Sequence, residues 1–231
     1  MHRLTSRDGT SIAYTRQGTG PPVVLVGGGL DDGSENAPLA PELADHFTVF
    51  NYARRGRGDS GDTLPYALQR EIEDLEAVID AAGGHAHAFG ASSGGALCLE
   101  AARRGVAIDR LAVYEVPFIV DGTHAPNPID LPQRIAAMVE RGQRGEAVKT
   151  FMRVVGVPAP FIGLMRVMPA WKKMTAVAHT LPYDLSIVIG RQQGEPLAGG
   201  CYDDVAQETL VIAGGKSPEY MRNAQIGRAH V

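Results

Sequence analysis

HAHAFGASSGGALCLEAARR, residues 85–104, decides how the rest of the chain is read. It opens as a short apolar run, passes through a knot of glycine, alanine and serine, and continues with the leucines and alanines of a helix. Within it, Gly90-Ala91-Ser92-Ser93-Gly94 fits the pattern G-x-S-x-G. Between a strand and a helix this pattern is a sharp, strained turn. The residues two before and two after the central serine nearly touch, and a Cβ at either place would clash. Ser92 would then project from the turn as the candidate nucleophile. Ser93 would offer its backbone N–H to an oxyanion at a helix N-terminus, where the dipole favours negative charge. As a nucleophile, Ser93 would be framed by Ala91 and Gly95, a poorer fit.

Reading outward, the flanking segments alternate. HRLTS and SIAYTRQG flank Asp8-Gly9, a hairpin turn signal. PPVVLVGGG is a continuous Val/Leu run entered by prolines and ended by glycines, the mark of a strand buried on both faces. APLAPELADHF reads as a short helix and TVFNY as another strand. From Tyr66 to Ala82, Leu68, Ile72, Leu75 and Ile79 recur at helical spacing, and Gly83-Gly84 ends the helix. RLAVYEV follows the elbow helix as a further strand. Strands alternating with helices predict right-handed crossovers and a mostly parallel sheet, with an antiparallel hairpin at its start.

After Pro117 the pattern becomes wholly helical and proline-broken, until ETLVIAGG returns to strand and SPEYMRNAQ to helix. The predicted organisation is a core over 1–119, a helical cap over 120–203 inserted after the sixth strand, a second core part over 204–225, and a tail from 226.

With 231 residues, 44% hydrophobic and 21% charged, the chain reads as one soluble α/β domain with an insertion. A net charge of −4 argues against nucleic acid or an anionic membrane as the main partner and leaves a small-molecule substrate. The two cysteines, Cys98 and Cys201, lack metal-type spacing and imply neither a zinc site nor a disulfide framework. No metal or organic cofactor is expected. The N-terminus has no apolar signal core and no run is long enough to span a bilayer, so the expectation is a cytoplasmic protein. Nothing in the sequence sets the oligomeric state.

The chain resembles the α/β-hydrolase superfamily, most closely its small capped members of the esterase and haloperoxidase-like group. The resemblance rests on the G-x-S-x-G elbow, on VVLVGGG, and on NYARRGRGDSG after the next strand. It implies a serine hydrolase acting on an ester-like acyl substrate. In that family the loop after the third strand supplies the second oxyanion N–H. Carried over here, that donor is Gly29, or else Leu30. The arginine-rich loop is by the same resemblance an ion-paired turn, although Ala53 stands where the family usually has an acid. A dinucleotide-binding alternative uses Gly27, Gly29, Gly33 and Arg54. It fails because SENAPLAP separates Gly33 from any helix whose dipole could face a pyrophosphate.

The family order is serine, acid, histidine. The usual acid position carries Ser217, which cannot neutralise an imidazolium. The acid is therefore sought at the end of the preceding strand, where Glu115 is preferred and Asp121 is the alternative. No histidine sits on a loop after a final strand: His230 is next to the terminus, with no last strand to place it. His85 and His87 alternate in the elbow strand as packing residues, His2 and His46 end other elements, and His124 and His179 belong to the cap. There His179 and Trp171, with Leu30 from the oxyanion loop, are candidate substrate contacts.

The tail IGRAHV is what ATC GGA AGA GCA CAC GTC encodes, a common sequencing adapter read as protein. Ile226–Val231 are expected to be foreign, with a last strand, a helix and a histidine-bearing loop missing. Losing that base costs a serine triad on the order of 10⁶ in kcat, so the literal chain is expected to be nearly inactive. The competing class is a ligand-binding protein of the same fold without turnover.

Overall fold

A computed structural model describes residues 1–226. The tail read as foreign therefore lies outside the described residues except for Ile226, and His230 lies outside them too. Seven strands form one sheet in the order β1-β2-β4-β3-β5-β6-β7. The hairpin of β1 (His2–Thr5) and β2 (Ser11–Gln17) turns at Gly9, whose φ of 87° only glycine adopts without strain. β2 also lies antiparallel to β4 (Thr48–Tyr52). The remaining pairs, among β4, β3 (Pro22–Val26), β5 (Ala86–Ala91), β6 (Ile108–Tyr114) and β7 (Glu208–Ile212), are all parallel. This is the mostly parallel sheet with an N-terminal hairpin that the alternation of segments predicts.

Parallel strands with both faces covered need apolar residues throughout, and β3 meets that condition: Val23, Val24, Leu25 and Val26 are all buried. On one face α1 (Leu39–Ala44) packs through Ala40 against Val23, Leu25 and Val49. The other face carries α2 (Leu68–Ala81) and α3 (Ser93–Arg103), with Ile72, Leu75, Leu97 and Val24 in one cluster. Each such fully buried side chain contributes about 1.5–3 kcal/mol over leaving it in water. α2 stops where Gly83 and Gly84 turn to φ 120° and 90°.

Between β6 and β7 run five α-helices: α4 (Leu131–Glu140), α5 (Arg144–Val154), α6 (Ala159–Met165), α7 (Pro169–Ala176) and α8 (Leu181–Val188). They enclose a second cluster that includes Leu131, Ile135, Val148, Leu181 and Leu185. α8 joins the two units, since its Ile187 and Val188 belong to the main core. α9 (Glu219–Ile226) follows β7 and buries Ala224. Among the described residues β7 has one sheet neighbour, and Leu210 on it is 61% exposed.

The strand register brings the chemistry together. Val26 pairs with Gly90, so the loop after β3 leaves the sheet beside the elbow. Ala91 pairs with Tyr114, so Ser92 and Glu115 leave neighbouring strand ends. All of this lies at the carboxyl edge of the parallel strands, where open α/β sheets bind their ligands.

Candidate active site

The elbow is as tight as its glycines predict. Ser92 has φ 52° and ψ −123°, a conformation costing a non-glycine residue on the order of 1–3 kcal/mol. Its backbone is pinned on both sides: Ser92 N donates to Tyr114 O at 2.8 Å, and Ser92 O accepts from Gly95 N at 3.0 Å. A Cβ at Gly90 would stand 2.6 Å from Gly94 O, and one at Gly94 would stand 2.4 Å from Val26 O. Ser92 is half-buried and Ser93 buried. Among the described residues no side chain hydrogen-bonds Ser92 Oγ.

The loop after β3 runs against this turn. A Cβ at Gly28 would lie 3.0 Å from Ser92 Cβ. Gly28 N is spent, donating to Glu35 Oε2 at 2.6 Å. The N–H groups of Gly29, Leu30 and Ser93 donate to no acceptor among the described residues. They are therefore the amides free to meet an oxyanion. Leu30, held at φ 63°, borders a cavity of about 300 Å³ with Gly29, Phe151, Met152 and Met174. Asp31 and Glu35 also border it, and burial raises both carboxyl pKa values despite backbone N–H donors. Glu35 was not singled out in the sequence, because a carboxylate seven residues from its N–H donor leaves no periodic signature.

Glu115 takes φ 50° at the end of β6, and Glu115 N donates to Ile212 O at 3.0 Å. Its Oε1 accepts from Gly214 N at 3.0 Å and from the Ser217 hydroxyl. The structure thus brings together Glu115 and Ser217, the residue at the family's usual acid position. Asp121 stands apart. Its carboxylate is engaged by Thr123 and by Asn223 Nδ2 at 2.7 Å, and these bonds, Thr123 first, hold its pKa below the usual range.

His179 sits 3.9 Å from Asp62 Oδ2, and burial, reinforced by Arg144, depresses its pKa. Trp171 packs within the insertion's own cluster, where a Cβ added at Gly145 would stand 3.8 Å from its Cζ2. The packing expectation for His85 is corrected. Strand pairing begins only at Ala86, so His85 is exposed and its Nδ1 lies 2.7 Å from Asp109 Oδ2. His87 does pack, edge-on to Phe47 at 6.0 Å.

The ARRGRGDSG loop is the ion-paired turn expected of it, and its reach is wider than the sequence suggests. Arg55 pairs with Asp74 at 2.7 and 2.8 Å and with Asp8 at 3.0 Å. Arg54 holds Glu71 bidentately at 2.6 and 2.8 Å and donates to Asp184 Oδ1 at 2.7 Å. Arg57 reaches both Asp184 oxygens at 2.9 Å and Gly28 O at 2.6 Å. The Ser93 hydroxyl donates to Asp184 Oδ1 at 2.7 Å. Burial opposes charge on Asp184, but Arg57 and Arg54 outweigh it, and its pKa lies below the usual range. Asp184 went unnoticed in the sequence because its partners Ser93, Arg57 and Arg54 lie 91, 127 and 130 positions away. Its only trace is an acid inside the apolar LPYDLSIVIG.

A family model described as the alpha/beta hydrolase family matches residues 23–230. A solved alpha/beta hydrolase from Sphaerobacter thermophilus is 49% identical with a TM-score of 0.92, and the match covers 99% of this chain and 88% of that one. A hydrolase structure from Pseudomonas aeruginosa shares the fold at 21% identity and a TM-score of 0.67, over 99% of this chain and 94% of the other. An uncharacterized hydrolase, YraK, from Bacillus subtilis is 25% identical over 150 residues, 63% of this chain. The match spans 55% of that curated relative's length. The matched family model and the elbow geometry agree: the chain belongs to the alpha/beta hydrolase family.

Proposed function

We propose that this chain carries the nucleophile and oxyanion site of a serine hydrolase for a small ester-like substrate. One observation carries the reading: Ser92 is held at positive φ on a glycine-flanked elbow, beside backbone N–H groups that no acceptor among the described residues uses. Ser92 Oγ attacks the carbonyl carbon, and the N–H groups of Gly29 and Ser93 hold the charge that develops on the carbonyl oxygen. The serine proton passes to an imidazole from outside residues 1–226, which Glu115 orients and whose positive charge it balances. The tetrahedral intermediate then collapses, the leaving alcohol takes that proton, and water repeats the cycle to release the acid. The apolar walls beside Gly29, formed by Leu30, Phe151, Met152 and Met174, favour a small apolar acyl or alcohol group. Residues 120–203 act as its cap.

A fluorophosphonate probe tests the reading by forming a covalent bond with an armed serine. Labelling at Ser92 that speeds up with added imidazole, and is lost in Ser92→Ala, is the expected result. Labelling undiminished by that substitution overturns it. The second reading, a ligand-binding protein without turnover, draws on the lack of any imidazole at Ser92 Oγ among the described residues. It predicts no labelling with or without imidazole.

A further inference from the structure

We propose that Arg57 and Asp184 are positioning residues of this site: they fix the direction of the Gly29 N–H, so the helical insertion sets the geometry of the oxyanion amides. The inference rests on the reading of Ser92 as nucleophile.

The argument starts from the peptide plane. Gly28 O and Gly29 N–H belong to one trans peptide unit and point in opposite directions. Whatever holds that oxygen therefore aims that N–H. Arg57 Nη1 holds it at 2.6 Å. The preceding unit is held at both ends, with Arg54 Nη1 3.3 Å from Gly27 O and Glu35 on Gly28 N. Such external holds are needed because Gly27-Gly28-Gly29 has the widest backbone freedom of any tripeptide. The glycines are themselves required: a Cβ at Gly28 would press on Ser92 Cβ at 3.0 Å, and one at Gly29 on Phe151 Cζ at 3.1 Å.

Arg57 in turn is aimed by Asp184. Both Asp184 oxygens accept from Arg57 Nη2, while Arg57 Nε is buried with no hydrogen-bond partner among the described residues. Its two Nη atoms therefore place the guanidinium. Arg54 already has a full carboxylate partner in Glu71, whereas the one carboxylate on Arg57 among the described residues is Asp184. Asp184 also accepts the Ser93 hydroxyl, so one α8 carboxylate touches the elbow directly, Gly28 O through Arg57 and Gly27 O through Arg54. Displacing α8 would release the Ser93 hydroxyl and Arg57.

The test uses the full chain with Arg57→Lys, Asp184→Asn and Ser92→Ala. Lysine keeps the charge facing Asp184 but lacks the fork that spans Asp184 and Gly28 O. In Arg57→Lys, the backbone ¹⁵N order parameters of residues 28–30 should fall from about 0.85 towards 0.6, with β3 and β5 unchanged. The limiting rate of fluorophosphonate labelling should drop by about 10- to 100-fold while the probe concentration for half-saturation stays within about threefold. Asp184→Asn should do the same where it folds, and Arg57→Lys decides where it does not. A folded Arg57→Lys with wild-type order parameters and labelling rate overturns the proposal, even if Ser92→Ala abolishes labelling. Labelling that survives in Ser92→Ala defeats the nucleophile reading instead, whatever residues 28–30 do.

Discussion

Replacing Gly94 with alanine puts the elbow geometry to a quantitative test. The added methyl would stand 2.4 Å from Val26 O and 2.5 Å from Gly27 O, closer than any Cβ approaches an oxygen. Both obstacles are backbone. Val26 is locked in the ladder opposite Gly90, and Gly27 O is held by Arg54. Neither can retreat as a side chain could. Overpacking of this kind costs about 1–3 kcal/mol, and two immovable oxygens put Gly94→Ala at the top of that range. For a chain of this length each kcal/mol lowers Tm by about 2–4 °C, so the loss should be about 6–12 °C. Gly163→Ala is the control. It sits in α6 with no described residue within 4 Å of the new methyl and should gain about 0.5–1 kcal/mol, or about 1–4 °C. Thermal unfolding followed by circular dichroism reads both variants. A Gly94→Ala protein melting within 2 °C of wild type would refute the steric account of the elbow.

Two further outcomes follow from charges and thiols away from the elbow. Burial would raise the Asp8 pKa, but hydrogen bonds from Thr10 and Arg55 outweigh it and bring it to about 2 from an ordinary 3.8. A carboxyl depressed in the folded state lends stability that is present above pH ~4 and is lost as pH falls towards 2. Urea titrations should therefore show Asp8→Asn losing less stability than wild type across that window, and parallel curves would contradict the prediction. Burial pushes the Cys98 thiol up to about 12, whereas Cys201 is partly exposed. Iodoacetamide at pH 8 should alkylate Cys201 alone in the native protein, as peptide mass mapping would show. Modification of Cys98 before unfolding would count against its burial.

What the sequence disclosed and what it hid divide along a physical line. The elbow was legible because Gly90, Ser92 and Gly94 act on one another within five residues, where steric need leaves a local pattern. β3 and α2 were legible for the same reason, since a covered strand and an amphipathic helix each repeat over a few residues. α2 also shows where that reading stops. Its hydrophobic stripe of Ile72, Leu75 and Ile79 is buried as expected, yet Glu71, Glu73 and Asp74 are buried as well. Periodicity assigns acids to solvent, because an isolated charge is costly to bury. Here Arg54 and Arg55 supply Glu71 and Asp74 with bidentate partners, an arrangement only the fold creates. Asp184 is the extreme case: an acid in an apolar helix looks like a break in pattern until α8 is laid over the loop after β4. Local geometry thus revealed the strained serine at position 92, while the charges packed around its loops are joined only through tertiary contact. Sequence patterns that report backbone strain will locate elbows of this kind, and the buried charges that surround them must be sought in the packed structure.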